Sequence, residues 1–300
     1  MIPVKDALSF VTCSGRSDGG GAQVHGVFST MLYAHCTGVR YVHTPFQTIS
    51  HNDAQDQYWT ERWEAAFSLG HRELQINELD LTRIRLVSLT GPKSDLPPEP
   101  ERGSTLFTAK HCHWYADENP DRYSLIQTRL IEKYQLKSPR IARSSAEITV
   151  AVHVRRGDVN ENQNARRYTP NQFIANQIGQ ISAALAGLPH RIHLFSEGSP
   201  HEFASLHQKV VLHLDGNVFA DLHQMISSDV LVMAKSSLSY VAAILSPAVK
   251  IYTPFRHPPQ TEWLVCNSDG LVPPRRLREA LSRAMKGRIH TSIRGECPDA

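Results

Sequence analysis

The segment 148–154 reads ITVAVHV, and this nearly continuous apolar run limits the possible folds more than any other feature of the chain. A strand without polar alternation must be covered on both faces, as in parallel sheets flanked by helices. After a charged loop, Thr169-Pro170 provides a helix start, and apolar residues recur at helical spacing up to Gly187. The order strand, loop, helix is therefore expected for residues 148–187.

The same alternation continues beyond this first repeat. Strand character is found at 191–196, 209–214, 229–233 and 249–252, and helical character at 219–228 and 237–245. Alternating elements of this length predict a doubly wound parallel sheet. The N-terminal half opens in a similar way, with a strand at 8–12, a glycine-rich loop, a helix at 22–36 and a strand at 40–43. The predicted fold class is α/β, with two Rossmann-type domains.

The domain boundaries follow from composition and charge. A segment rich in proline, serine and arginine at 137–145 is typical of a linker, so the predicted parts are an N-terminal α/β domain (1–143) and a C-terminal α/β domain (144–272). Residues 273–300 form a third part, a basic helix and tail. Its segment 275–288 is amphipathic, and docking against a domain is the commoner fate of such a helix, although weak contact with an anionic membrane is the alternative.

Two further helices are expected in the N-terminal half. Trp59, Trp63 and Phe67 recur at every fourth position, which marks one apolar helix face. The pair Asn119-Pro120 is typical of a helix start, and the helix that it opens is predicted to continue to Leu136.

Charge and cysteine content exclude some classes of function. The 32 basic and 29 acidic residues of this 300-residue chain leave a formal net charge of +3, so a nucleic-acid partner is not expected. The five cysteines are widely separated and contain no C-x-x-C pair, which argues against a disulfide framework or a structural zinc site. Without a leader or a long apolar stretch, we expect an untargeted cytoplasmic protein, bacterial in character.

Several polar residues are predicted to meet at the carboxyl ends of the C-terminal strands, where such sheets bind ligands. They are Arg155, Arg156, Glu197, Ser236 and Ser237. Two adjacent arginines at the end of a buried strand require a negative partner, and a diphosphate fits the planar donor fork of arginine. The alternative is an ion pair with a nearby carboxylate.

These residues belong to a motif that resembles a known family. The run His-Val-Arg-Arg-Gly-Asp at 153–158 resembles the H-x-R-R-G-D signature of α1,2-fucosyltransferases, and is similar to that of α1,6 and nodulation fucosyltransferases. The segment 221–245 is similar to the closing motif of that family, except that Lys235 stands where the family usually has asparagine. The loop 19–25, GGGAQVH, looks like the N-terminal glycine loop of the family.

The resemblance implies a GT-B fold with two facing domains, in which the C-terminal domain holds GDP-fucose and the N-terminal domain binds a glycan acceptor. It also implies inversion at the sugar carbon without a required metal or other cofactor. Arg155 is then expected to stabilise the departing diphosphate. The residues expected to bind the donor are His153, Arg156, Asp158, Gly20, Gly21, Gln23, Glu197, Asp221, Ser236 and Ser237.

An inverting transfer also needs a base for the acceptor hydroxyl. Glu161 is predicted for this role because it lies in the arginine loop, and Asp158 and His25 are the alternatives. A metal site at His111-Cys112-His113 is not expected, because in a strand only the two histidines would share a face.

Three other functions remain open at this point. The first is a transferase of the same fold that uses a different GDP-sugar. The second is a degenerate protein that binds GDP or a glycan without turnover, and the third is a nucleotide-binding module unrelated to sugars. The sequence leaves the acceptor, the linkage and the oligomeric state undetermined.

Overall fold

The chain forms two compact units, residues 1–140 and 141–300. The structure, a computed structural model, describes residues 8–52, 55–91, 103–139, 147–206 and 209–294, with the side chains of the last helix described as far as residue 286. Most of the predicted linker 137–145 lies outside the described residues, as does Cys297.

Unit 1 (residues 1–140) is an α/β unit with five parallel strands. Its strands are β1 (Ser9–Cys13), β2 (Arg40–His43), β3 (Leu74–Gln75), β4 (Ile84–Ser88) and β5 (Ser104–Ala109), in the order β3-β2-β1-β5-β4. Its helices are α1 (Gly20–Thr37), α2 (Trp59–Phe67), α3 (His113–Glu118) and α4 (Gln127–Gln135).

Unit 2 (residues 141–300) contains six parallel strands. They are β6 (Ile148–His153), β7 (His190–Ser196), β8 (Val211–Leu214), β9 (Val230–Val232), β10 (Val249–Tyr252) and β11 (Leu264–Val265), in the order β11-β10-β9-β6-β7-β8. Its helices are α5 (Asn171–Ala184), α6 (Val218–Ser227), α7 (Ser237–Leu245) and α8 (Pro274–Arg294). The predicted α/β class, with one doubly wound parallel sheet in each half, is confirmed.

The apolar run that predicted a buried strand forms β6 in the middle of the unit 2 sheet. Val150, Ala151 and Val152 are successive residues that point to alternate faces, and each is at most 2% exposed. Both faces of this strand are therefore covered. Helix α5 supplies Ile174, Ile178 and Ile181 to the same core.

The structure corrects two local predictions in unit 1. His113 begins helix α3 and does not lie in a strand, so the argument from alternating strand faces does not apply to it. The predicted helix 119–136 is divided into a 3-10 segment, Pro120–Leu125, and α4. The division occurs at Ile126, where the pattern changes from a 3-10 bond, from Ile126 N–H to the Tyr123 carbonyl at 3.1 Å, to an α-helical bond, from Leu130 N–H to the Ile126 carbonyl at 3.0 Å.

The start of α1 is held against α2 by a close contact between Gly20 and Trp63. A Cβ atom on Gly20 would lie 2.1 Å from the indole ring, and Trp63 is 3% exposed. A glycine is therefore required here by packing, since the ring is enclosed and has little room to move.

Gly20→Ala should consequently lower the free energy of unfolding by about 1–3 kcal/mol, the usual cost of overpacking. Gly179→Ala is the matched control, because Gly179 lies inside α5 with no atom within 4 Å of an added Cβ. The control should instead gain about 0.5–1 kcal/mol from its higher helix propensity. Urea unfolding of the two variants measures both effects, and a Gly20→Ala protein as stable as the wild type would contradict the packing argument.

The four cysteines in the described ranges, Cys13, Cys36, Cys112 and Cys266, are free thiols. Burial raises the pKa of Cys13 to about 11 and that of Cys112 to about 12, so these two side chains are unreactive packing groups at neutral pH. Among the described residues, no helix has the length and apolar character needed to cross a membrane.

Candidate active site

The carboxyl edge of the unit 2 sheet has the topology of a ligand site. The first strand of the unit, β6, lies in the middle of the sheet, with β7 and β8 on one side and β9, β10 and β11 on the other. From β6 the chain adds strands on one side of the sheet, and from β9 it adds them on the other side. The order therefore switches between the neighbouring strands β6 and β9. In doubly wound sheets, the crevice beyond such a switch point is where ligands bind.

A hydrogen bond between His153 and Ser239 joins the two sequence motifs at this switch point. His153 ends β6, and its Nδ1 atom contacts the hydroxyl of Ser239 in the first turn of α7. The same hydroxyl accepts a bond of 3.1 Å from the backbone N–H of Ala234. The structure thus gives His153 a contact within the protein, and Ser239 is a site residue that the sequence prediction did not single out, although it lies in the quoted motif.

The His153 ring is neutral at physiological pH. Burial, together with the nearby positive charge of Arg155, lowers the pKa of His153 to about 3. A neutral ring can accept a hydrogen bond from the Ser239 hydroxyl, and the oxygen of that hydroxyl accepts a hydrogen bond from the Ala234 N–H. This arrangement fixes the end of β6 and the start of α7 relative to each other.

Arg155 is the arginine of the motif that remains available to a ligand. Its guanidinium forms an ion pair with Asp158, and the side chain is 18% exposed. The Nε atom is shielded from solvent and donates no hydrogen bond to any residue in the described part of the chain. A buried N–H group without an acceptor is costly, so this atom is suited to an anion that enters the crevice. Asp158 has the arginine-orienting contact suggested by the sequence.

Arg156 makes several contacts within the protein, and its donor-binding role stays a prediction. It is 5% exposed, and its guanidinium donates to the Arg155 carbonyl at 3.0 Å, the Thr169 carbonyl at 3.0 Å and Asn171 Oδ1 at 2.9 Å. The group also lies 4.6 Å from the centre of the Tyr168 ring. Arg156 therefore connects the motif loop to the start of α5, and its donors are directed at the protein.

Gly157 and Glu197 are packed together. Gly157 has a φ of +70°, and a Cβ atom added to it would lie 2.0 Å from a carboxylate oxygen of Glu197. Glycine is thus required both by the backbone conformation and by the closeness of this carboxylate. The group that approaches Gly157 closely is thus the Glu197 carboxylate, in the loop after β7.

Helix α7 begins beside two further cations. Ser236 caps the helix by accepting a bond of 3.3 Å from Leu238 N–H, and Ser237 Oγ accepts a bond of 3.2 Å from Arg256 Nη2. Lys235, which replaces the usual asparagine of the resembled motif, donates from Nζ to the Tyr168 carbonyl at 3.2 Å. The predicted serine pair therefore caps the helix and positions an arginine at its N-terminus.

Three cations follow neighbouring strands at this edge of the sheet, and the one after β6, Arg155, is paired with Asp158. The other two are Lys235 after β9 and Arg256 after β10. Acidic groups follow the next two strands, with Glu197 after β7 and Asp215 after β8. An arginine at a helix N-terminus adds to the positive potential of the helix dipole, so the β6–β10 side of the edge favours an anion. Arg256 was missed by the sequence prediction because no motif contains it.

Asp221 lies in the first turn of α6, against the loop after β8. A Cβ atom on Gly216 would be 3.1 Å from either carboxylate oxygen of Asp221. Burial raises the pKa of Asp221 to about 6. The folded state therefore favours the protonated carboxyl group of this residue between about pH 4 and 6.

Asp221→Asn should remove this pH dependence. Because the pKa in the folded state is above the ordinary value of 3.8, the stabilising contribution is complete below about pH 4 and is lost as the pH rises through 6. The wild type should lose stability relative to the variant between these values, as measured by urea unfolding at several pH values. Asp269→Asn, at an exposed carboxylate, is the control. A difference between wild type and Asp221→Asn that does not change with pH would contradict this account.

The glycine loop of unit 1 makes structural contacts. Gly20 packs under Trp63, Gly21 is buried, and Gln23 Nε2 donates to the carbonyls of Asp18 at 2.8 Å and Thr48 at 2.7 Å. These contacts explain why small residues and an amide occur at these positions. The donor-binding role of Gly20, Gly21 and Gln23 stays a prediction.

The candidate bases lie in different surroundings. Glu161 is exposed in a turn closed by a bond of 2.9 Å from Asn160 N–H to the Gln163 carbonyl. His25 is completely buried in α1, with its ring stacked at 4.3 Å on that of His113. The base therefore remains a prediction, with Glu161 accessible to an acceptor.

No protein-family model matches the chain, and no curated protein matches it. Among solved structures, it is similar to the fucosyltransferase NodZ from Bradyrhizobium, with 14% identity over 80% of this chain and 94% of that chain and a TM-score of 0.46. It is also similar to the E. coli ADP-heptose LPS heptosyltransferase II, with 15% identity over 94% and 100% of the two chains and a TM-score of 0.41. A third structure is POFUT1 in complex with GDP-fucose, with 11% identity over 82% and 98% and a TM-score of 0.42. All three TM-scores lie below 0.5, so these similarities carry no conclusion about the function of this chain.

Proposed function

We propose that this protein is an inverting, metal-independent glycosyltransferase of the GT-B type that transfers fucose from GDP-fucose to a hydroxyl group of a glycan. The observation that carries the proposal is the arrangement of Arg155, Lys235 and Arg256 after three neighbouring strands, beside the N-terminus of α7. This is the region of the sheet where a diphosphate would meet cations, helix N–H groups and a hydroxyl.

The chemistry follows from the charge of the leaving group. When the acceptor oxygen forms its bond to the sugar carbon, the bond from that carbon to the diphosphate oxygen breaks, and GDP departs with additional negative charge. Fixed cations stabilise this charge in a partly dehydrated crevice without reorganising during the reaction. We assign this role to Arg155, with Arg256 and Lys235 in support. The acceptor proton passes to a base, for which Glu161 is the proposed residue.

The acceptor is proposed to bind in unit 1, at the carboxyl ends of β1 and β2. A small open pocket there is lined by Ser14, Arg16, Thr44, Phe46 and Gln47, among others. Hydroxyl, amide and guanidinium groups beside one aromatic ring form a surface suited to the hydroxyl groups and the C–H face of a sugar.

Another GDP-sugar or another nucleotide sugar is the second candidate donor. The observation that favours it is that the cations of the site recognise the diphosphate, which all these donors share. These cations do not select the nucleobase of the donor. The replacement of asparagine by Lys235 also changes one position of the resembled donor motif.

The proposal is tested by incubating the full chain, in EDTA, with GDP-fucose, GDP-mannose, a UDP-sugar and an ADP-sugar across a panel of glycan acceptors. Release of GDP from GDP-fucose that depends on an acceptor, with a matching glycoside product, is the expected result. If a different donor is turned over in the presence of an acceptor, the sugar of that donor, and not fucose, is the one that this protein transfers. Tight GDP binding without turnover of any donor would instead identify a binding protein.

A further inference from the structure

Helix α8 exposes a face that carries most of its charge. This basic face consists of five exposed cationic residues, Arg275, Arg276, Arg278, Arg283 and Lys286. Glu279 is the acidic residue among them in the described part of the chain, and it accepts a bond of 2.8 Å from Arg275. Glu279 lies one helical turn from Arg275, Arg276 and Arg283, and this one carboxylate beside five cations leaves the described part of the face with a net charge of +4.

The apolar face on the opposite side of α8 packs against the protein, and this orients the basic face toward solvent. Leu277, Ala280 and Leu281 are at most 8% exposed and belong to the core of unit 2. The helix is thus docked through its apolar side, and its basic face is directed at solvent. The sequence predicted that this helix docks against a domain, and the structure shows that docking. The docking does not use the basic face.

The neighbouring helix does not neutralise the basic face. Helix α5, against which α8 packs, has no Asp, Glu, Lys or Arg over residues 171–184. The positive charges on α8 therefore form a concentrated patch, although the whole chain has a formal net charge of only +3. A locally concentrated charge of one sign is suited to a surface of the opposite sign.

Apolar side chains lie in the segment that leads into α8. Leu271, three residues before the helix, is 37% exposed, and Val265 on the edge strand β11 is 43% exposed. The turn that presents Leu271 is fixed by bonds from Leu271 N–H to Asn267 Oδ1 at 2.9 Å and from Asn267 N–H to the Leu271 carbonyl at 2.8 Å. Leu271 stands four positions before Arg275 in the chain, and an exposed aliphatic group close in sequence to cations is typical of proteins that adsorb to the headgroup region of a bilayer.

We propose that the basic face of α8, with Leu271 beside it, binds an anionic lipid surface. The large apolar side chains exposed in the described part of unit 2 are aliphatic, so this surface offers no exposed aromatic ring on which nucleic-acid bases would stack. A lipid surface is thus favoured over a nucleic acid. This proposal does not depend on the nucleotide site, which lies at the carboxyl edge of the sheet.

The test uses the full chain and sucrose-loaded vesicles that contain about one third phosphatidylglycerol in phosphatidylcholine. The wild type should sediment with these vesicles at about 50 mM NaCl, should be released at about 300 mM because the charges are screened, and should not bind phosphatidylcholine alone. The triple variant Arg276→Glu, Arg283→Glu, Lys286→Glu should bind at least about 100-fold more weakly, since each cation near such a surface contributes about a factor of five.

A matched control carries the same three charge reversals in unit 1, at the exposed residues Arg40, Arg85 and Lys137. It should keep most of the vesicle binding, because its net charge equals that of the α8 variant while its basic face is intact. An equal loss in both variants, no vesicle binding by the wild type at low salt, or binding of a single-stranded polynucleotide that persists at the salt concentration that releases the vesicles would overturn the proposal. Circular dichroism and the melting temperature establish that both variants are folded.

Discussion

Arg155→Ala should lower the turnover of the donor by several hundredfold, about 3–4 kcal/mol of transition-state stabilisation, while leaving the fold intact. The guanidinium lies at the switch point of the sheet with a shielded Nε that has no acceptor in the described part of the chain. An oxygen of the departing diphosphate would supply the hydrogen-bond acceptor that this Nε atom lacks.

The same substitution should have little effect on stability. Its partner in the ion pair, Asp158, is 27% exposed and can be solvated when the arginine is removed. Exposed or partly exposed pairs contribute about 1 kcal/mol or less, so the melting temperature should fall by no more than about 3 °C.

Arg166→Ala is the control for Arg155→Ala, because Arg166 is an exposed arginine of the same loop. It should retain nearly full turnover. A large fall in melting temperature for Arg155→Ala, with GDP affinity unchanged, would show that Arg155 serves only as the ion-pair partner of Asp158.

Arg156→Ala should have the opposite signature, with a large loss of stability. Removal of the side chain leaves the buried carbonyl of Thr169 and the Asn171 amide oxygen without their donor, and it removes the contact with the Tyr168 ring. An unsatisfied buried acceptor costs about 1–3 kcal/mol, so the total loss should reach about 3 kcal/mol or more. The melting temperature should fall by about 6–12 °C.

Thermal unfolding followed by circular dichroism measures this effect. Arg156→Lys is the matched variant, because it keeps the charge but cannot reproduce the planar set of donors, and it should recover only part of the lost stability. A melting temperature that is unchanged in Arg156→Ala, together with a loss of GDP affinity, would show that this guanidinium binds the diphosphate instead.

The contrast between these two arginines shows what the sequence could and could not predict. Both arginines lie in the loop after β6, where no strand alternation fixes the directions of their side chains. The motif identified the pair, and the structure directs Arg156 inward to Thr169 and Asn171 while Arg155 remains at the crevice. The sequence prediction assigned Arg155 to the departing diphosphate and Arg156 to donor binding, and it had no information about the acceptors that Arg156 contacts.

Much of the unit 2 fold could be predicted because its signals are local. The run that forms β6 and the helical spacing in α5 each lie within a short window of sequence. Strands β3, β4 and β5 of unit 1 were not predicted. Two residues form β3, and β4 is largely exposed at the edge of the sheet, so neither has the apolar run that a buried strand shows.

Long-range polar contacts were also beyond the sequence prediction. In unit 1, Lys133 Nζ lies 2.7 Å from a carboxylate oxygen of Glu73, and both side chains are at most 6% exposed. In unit 2, Ser237 receives a bond from Arg256, which is 19 residues away. Such pairs depend on how the elements pack, and no spacing in the sequence indicates them.

The most direct test of the central claim is isothermal titration of the full chain with GDP, and separately with ADP and UDP, in EDTA. The claim is that the cations around the start of α7 hold the diphosphate of a GDP-sugar. It predicts micromolar binding of GDP and a large loss of GDP affinity in Arg155→Ala, and the proposed specificity for a GDP-sugar adds much weaker binding of the other two nucleotides. Absence of GDP binding by the wild type, or undiminished binding by Arg155→Ala, would contradict it.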